Sequence, residues 1–156
     1  MKIISKLLSP NDVGETGSHQ VGILVPKYGG FLDFFPRLNT NALNPDASVD
    51  FLDPTGKHWG FRFIYYNNGK FGGTRNEYRL TRMTGFFRAF GAKSGDGIAL
   101  SLDEKGLYHA AILPEPNFAR GLPSPETIDD KNIEHFKAYN LTFDSNWKIV
   151  NWEERP

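Results

Sequence analysis

Apolar residues in this chain come in short runs, cut by glycine or proline every few positions, and many of the runs alternate with polar residues at the two-residue period of a strand. Val21-Gly22-Ile23-Leu24-Val25 is β-branched, is ended by Pro26 and predicts a strand. Gly30 to Pro36 spaces its apolar residues for one or two helical turns, which Pro36 limits. Ser48 to Asp53 alternates, turns at Pro54-Thr55-Gly56, and leads into Trp59 to Tyr66. There Trp59, Phe61, Phe63 and Tyr65 share one face, so the two segments predict a hairpin. Asn67 to Thr74 reads as a loop, Arg75 to Met83 as a strand and Thr84 to Gly91 as a short helix. Gly97 to Leu102 and Leu107 to Leu113 are strands joined by the turn signal Asp103-Glu104-Lys105-Gly106. Pro114 to Pro125 is a loop. Thr127 to Tyr139 carries Ile128, Ile133 and Phe136 among charges and predicts a surface helix. Leu141-Thr142-Phe143 and Trp147 to Val150 read as a last pair of strands. These elements predict a mostly β (α+β), mainly antiparallel barrel or sandwich of about seven or eight short strands with two or three short helices.

A length of 156 residues fits a single domain over 1–156, and 13 phenylalanines supply a core without a metal or disulfide staple. The absence of cysteine removes thiolate metal sites, iron–sulfur clusters and a cysteine nucleophile. No apolar run nears the ~20 residues of a membrane span, and Met1 to Leu8 is too short and polar for a signal peptide. The expected setting is therefore cytoplasmic, with no membrane partner.

Net charge is zero but uneven. Between residues 57 and 93 stand Lys57, Arg62, Lys70, Arg75, Arg79, Arg82, Arg88 and Lys93 against the single acid Glu77, a local charge of +7. Binding to a polyanion depends on local charge, so this segment is a candidate surface for nucleic acid. A solvated basic strand with acidic neighbours would look the same.

Catalytic signatures are scarce. His19, His58, His109 and His135 form no i, i+4 metal pair, and no phosphate-cradling loop or nucleophile elbow occurs. His135-Phe136-Lys137 begins an H-x-K pattern, but Thr142 stands where an aspartate is required. Pro45-Asp46 with Asp103-Glu104-Lys105 formally spells a magnesium-nuclease pattern, although the second half is better explained as a turn. Trp59, Tyr65 and Tyr66 could alternatively serve as stacking platforms in a carbohydrate- or protein-binding barrel; core packing is their simpler role.

Two polar, glycine-bearing stretches hold the side chains that read base edges. The first, Ser9 to Gln20, offers Asn11, Asp12, Glu15, Thr16, His19 and Gln20 and has almost nothing to bury. The second, Tyr66 to Arg82, places Arg75, Glu77 and Arg79 two residues apart on one strand face. Major-groove readout uses this set: Arg on guanine, Glu or Asp on cytosine N4, Asn or Gln on adenine. A salt-bridge ladder on an exposed sheet would use the same charges.

The stretch Asn11-Asp12-x-Gly14-x-Thr16-Gly17-x-His19-Gln20-Val21-Gly22 resembles the N-terminal effector domain of EcoRII-type restriction endonucleases. So do Ile64-Tyr65-Tyr66-Asn67, then Phe71-Gly72-x-Thr74-Arg75-Asn76-Glu77-x-Arg79-x-Thr81-Arg82, and Gly97 to Gly106 more weakly. The resemblance covers most of residues 6 to 110. It implies a DNA-binding pseudobarrel, shared with plant transcription-factor domains, whose two arms grip the major groove at 5′-CCWGG. Asn11, Asp12, Glu15, Thr16, His19 and Gln20 would then serve one arm, at about 9–20. Lys70, Thr74, Arg75, Asn76, Glu77, Arg79 and Arg82 would serve the other, at about 67–82. Lys70, Arg82 and Lys6 would position the DNA backbone. The resemblance further implies an allosteric, non-catalytic role with no cofactor in this domain. The partners would be double-stranded DNA and a covalently linked nuclease domain carrying any magnesium. The setting would be a prokaryotic cytoplasm and the isolated domain a monomer. Gly73 and Tyr78 depart from the family pattern, which has lysines there, so fewer phosphate contacts are expected.

Overall fold

The computed structural model describes residues 2–15, 22–28, 30–114 and 147–151. Eight strands form one sheet in these residues: β1 (Lys2–Leu7), β2 (Gly22–Val25), β3 (Asp46–Leu52), β4 (His58–Tyr66), β5 (Glu77–Thr81), β6 (Gly97–Leu102), β7 (Tyr108–Leu113) and β8 (Trp147–Asn151). The order across the sheet is β2-β5-β4-β3-β7-β6-β1-β8. Every pairing is antiparallel except β3 with β7, which run parallel over Phe51↔Tyr108 and Leu52↔His109. Two 3₁₀ turns, Phe31–Phe34 and Asn68–Phe71, and one short helix, α1 (Thr84–Ala89), complete the described elements.

One side of the sheet carries the core. Ile4, Ile23, Phe51, Phe61, Leu80 and Leu100 are wholly buried, with Phe34 and Phe86 from the helical turns packed among them. Ring pairs knit this interior: Phe35 stacks on Phe63 at 4.4 Å, and Tyr65 on Tyr78 at 4.1 Å. The sheet curls around this core far enough that its two edge strands approach. Leu24 of β2 and Trp147 of β8, from opposite edges, line one cleft. The result is a barrel with an open seam.

The hairpin predicted around Pro54-Thr55-Gly56 is the β3–β4 hairpin. Its turn is fixed by Asp53, whose carboxylate accepts from the Thr55 and Lys57 backbone N–H groups and from Trp59 Nε1. α1, β6, β7 and β8 lie where the sequence placed them, within one residue or two. Strand β5 is shorter than the predicted Arg75–Met83, because the chain up to Asn76 still belongs to the preceding loop. The strand β1 had no counterpart in the sequence reading. The predicted helix at 127–139 and strand at 141–143 lie outside the described residues.

β2 approaches β5 unusually closely. A Cβ on Gly22 would stand 2.3 Å from the Leu80 carbonyl oxygen, so only glycine fits. At the far end of β5, Arg82 takes up a left-handed conformation (φ 62°), uncommon for a residue with a side chain.

Candidate nucleic-acid interface

The first arm leaves β1 and returns as β2, two strands that are not neighbours in the sheet. Its root is a polar knot. The Asp12 carboxylate pairs with Lys6 Nζ and accepts from the Ser9 backbone N–H at 2.9 Å, while Ser9 Oγ accepts from the Asp12 N–H at 3.2 Å. Both charged groups are buried. Glu15 ties the arm to the loop before β6, accepting from the Ser94 N–H and hydroxyl at 3.1 and 3.0 Å. Asn11 is exposed and borders the cleft. Thr16, His19 and Gln20 lie outside the described residues.

The second arm joins β4 to β5. Asn67 is fully buried and anchors it: its side-chain oxygen accepts from Asn44 N–H at 2.7 Å, and its amide nitrogen donates to the carbonyls of Ala42 and Thr40 at 2.7 and 3.3 Å. Asn44 reciprocates, accepting from Asn67 N–H at 3.2 Å. Asn68 then closes the arm on itself by accepting from the Arg75 N–H at 2.6 Å. That bond explains the glycine at 73, since a Cβ there would stand 2.7 Å from the Asn68 side chain. Tyr78, the second departure, is on the core side of β5 in the stack with Tyr65. Neither position offers a cation to phosphate.

Arg75, Glu77 and Arg79 do share a face. Glu77 Oε1 accepts from Arg75 Nη2 at 2.6 Å and from Arg79 Nε at 3.1 Å. Its second oxygen carries no hydrogen bond among the described residues. The Arg75 guanidinium lies 3.7 Å from the centre of the Tyr66 ring. Burial by itself would raise the Glu77 pKa. The hydrogen bonds and charges of the two arginines outweigh it and hold the carboxyl below its ordinary value. Each guanidinium keeps N–H groups pointing elsewhere. Arg79, held through Nε, retains both terminal nitrogens for a bidentate acceptor such as a guanine edge.

Lys70 and Thr74 are exposed on the arm, as are Asn76 and Arg82 at either end of β5. Asn76 accepts from the Tyr65 hydroxyl at 2.6 Å, and its carbonyl receives Lys27 Nζ at 3.1 Å. A cleft of about 380 Å³ lies beside the root of the first arm, with Lys6, Ser9, Asn11 and Asp12 from that arm and Arg79 from β5 in its wall. Leu24, Pro26, Tyr28 and Trp147 complete its wall. Sequence reasoning missed these four, because nothing in their local pattern separates them from ordinary strand or loop positions, and it placed Asn67 in the second stretch without its role as anchor.

The structure reassigns several candidates. Asp12 and Lys6 neutralise each other inside the arm root, at the wall of the cleft. Glu15 is likewise engaged, with Ser94. Asp46 pairs with Arg62 at 2.6 Å at the start of β3. Asp103 pairs with His109 at 2.9 Å, beside the other end of β3. Six strand residues separate those ends, roughly 20 Å, too far to share a magnesium ion. Trp59 packs edge-on against Phe86, and Tyr65 stacks face to face on Tyr78, so both serve the fold.

An open-seamed, mostly β barrel with two polar arms, the first rooted beside a cleft, is a pseudobarrel of the kind seen in B3 domains. The Arabidopsis FUS3–DNA complex shares the fold, with a TM-score of 0.55 at 23% identity, covering 69% of this chain and 92% of that one. The family described as Restriction endonuclease EcoRII, N-terminal, matches residues 1–105, and the chain belongs to it. The type II restriction enzyme EcoRII of Escherichia coli is 45% identical over 85 residues, 49% of this chain and 20% of that protein. An AP2/ERF and B3 domain-containing protein of Oryza sativa subsp. japonica is 31% identical over 103 residues, 64% of this chain and 29% of its own length. The chain therefore spans less than a third of either relative.

Proposed function

We propose that this domain reads a short duplex DNA site through the major groove and acts as the non-catalytic, allosteric effector of a restriction endonuclease. The observation that carries the reading is the Arg75–Glu77–Arg79 face: two arginines braced on one carboxylate oxygen, beside a cleft at the root of the first arm. Arg75 and Arg79 would each meet a guanine, and the open oxygen of Glu77 would accept from cytosine N4. Asn11 and the rest of the first arm, with Thr16, His19 and Gln20, would cover the other half-site. Lys70, Thr74, Asn76 and Arg82 would hold the backbone. Asp12, Lys6 and Glu15 would act through the arm's shape. The site expected from family membership is 5′-CCWGG. Two unlike arms let a monomer read the matching halves of this near-palindrome with different residues.

The nuclease chemistry, and any magnesium, would belong to a separate linked domain in a prokaryotic cytoplasm. The test is fluorescence anisotropy on a CCWGG duplex, a one-base variant and a copy methylated at cytosine C5, at two salt concentrations. Tight binding of CCWGG alone, weakened by the methyl group that intrudes into the groove, is the expected result. Equal, salt-sensitive binding to every duplex would overturn it.

A further inference from the structure

Leu24 is the middle of three apolar residues in β2, yet it is 44% exposed while Ile23 and Val25 beside it are buried. It pairs in register with Arg79, so a large apolar side chain stands next to the arginine at one end of the charged face. It lines the cleft with Asn11, Pro26 and Tyr28, the last of these 74% exposed. A lone surface leucine is ordinary. One placed in a cleft at the root of a polar arm, against an arginine already braced for a base edge, has a specific chemical counterpart. The thymine C5-methyl is the apolar group that unmodified base edges present in the major groove.

We propose that Leu24 is a specificity-determining residue that packs against a thymine methyl adjacent to the guanine met by Arg79. This rests on the DNA-reading function above. In CCWGG the central A·T pair adjoins a guanine and always carries one thymine. A single leucine at the cleft would meet that methyl directly, without using a hydrogen bond. The polar arms would then read the outer pairs, and the apolar wall would select A·T at the centre.

The test replaces the central thymine with deoxyuridine, which removes the methyl and leaves every hydrogen-bonding atom in place. Native protein and Leu24→Ala are each titrated by anisotropy on both duplexes and on a one-base variant at an outer pair. Burial of one methyl predicts that the native protein binds the deoxyuridine duplex about three- to fivefold more weakly. Leu24→Ala should bind the thymine duplex more weakly and be indifferent to the exchange. Leu24→Met, which keeps apolar bulk, should retain most of the sensitivity. A native protein that discriminates outer pairs but ignores deoxyuridine would overturn this assignment and leave the base-reading face standing. Equal deoxyuridine sensitivity in Leu24→Ala would place the methyl contact elsewhere. Absence of any sequence discrimination would remove the DNA-reading function itself.

Discussion

Changing Glu77 to Gln separates a base-reading face from a surface salt-bridge ladder. The carboxylate holds Arg75 and Arg79 on one oxygen at 2.6 and 3.1 Å, with side-chain exposures of 35, 29 and 16% for Arg75, Glu77 and Arg79. Ion pairs this accessible are each worth about 0.2–1 kcal/mol to folding, and an amide oxygen still accepts from both guanidiniums. The cost to stability should therefore be about 1 kcal/mol at most, a Tm drop of roughly 2–4 °C for a domain of this size. Binding is affected differently. The glutamine nitrogen cannot accept from cytosine N4, and the arginines are held less firmly. Together these should cost about 1–3 kcal/mol at the specific site, roughly 5- to 150-fold in Kd. Loss of a negative charge meanwhile favours any duplex. Anisotropy on CCWGG and on a one-base variant, with a thermal melt as control, should show specific affinity falling, nonspecific affinity level or rising, and Tm almost unmoved. An unchanged ratio between the two duplexes would refute a reading role for Glu77. A Tm loss near 10 °C would show that the trio holds the fold instead.

Other outcomes follow from the same geometry. Asp12→Ala leaves the buried Lys6 without its counter-charge and should destabilise the domain by about 3–5 kcal/mol in urea unfolding, whereas a Tm within 2 °C of the parent would show that Lys6 reaches water. Gly22→Ala drives a Cβ against the Leu80 carbonyl and should cost about 1–3 kcal/mol by displacing β2 from β5, read as faster hydrogen exchange of the amides along that pair. For Glu77, Asp53 and Asp103, burial raises the pKa but is outweighed by hydrogen bonds, so each folded value lies below the ordinary 4.5 or 3.8. The folded protein thus binds fewer protons than the unfolded chain in acid. Stability should be fully present above pH about 4.5 and fall as pH drops below 4 through the lowered values, which a series of melts would follow.

Much of the fold was legible because its strands bury one face and alternate. The first half of β4 is the plainest case: Phe61 and Phe63 are buried while Gly60 and Arg62, which alternate with them, reach solvent. β1 was not legible for the opposite reason. Ile3, Ile4, Ser5 and Lys6 are all buried, so neither face shows a polar rhythm, and Lys6 is tolerated through the Asp12 carboxylate and the Leu7 carbonyl. The charged trio was visible as a two-residue spacing, but its internal pairing was not. Spacing places side chains on a face; it does not say which turn toward one another. The cleft was invisible because it joins β2, β5 and β8, strands that only the curl of the sheet brings together.

The arms show how polar segments can be held rigid without a core of their own. The first is rooted by a buried ion pair capped by Ser9, the second by the reciprocal amide bonds of Asn44 and Asn67. Breaking either would strand buried polar groups, a penalty that favours one arrangement over many. The trio applies the same logic at the surface. Glu77 cancels part of the charge of Arg75 and Arg79, which weakens attraction to phosphate in general. It also fixes where the remaining donors point. A surface built only to attract DNA would omit that carboxylate. A surface built to discriminate between base pairs gains from it, because aimed donors lose less freedom on binding and fit fewer partners.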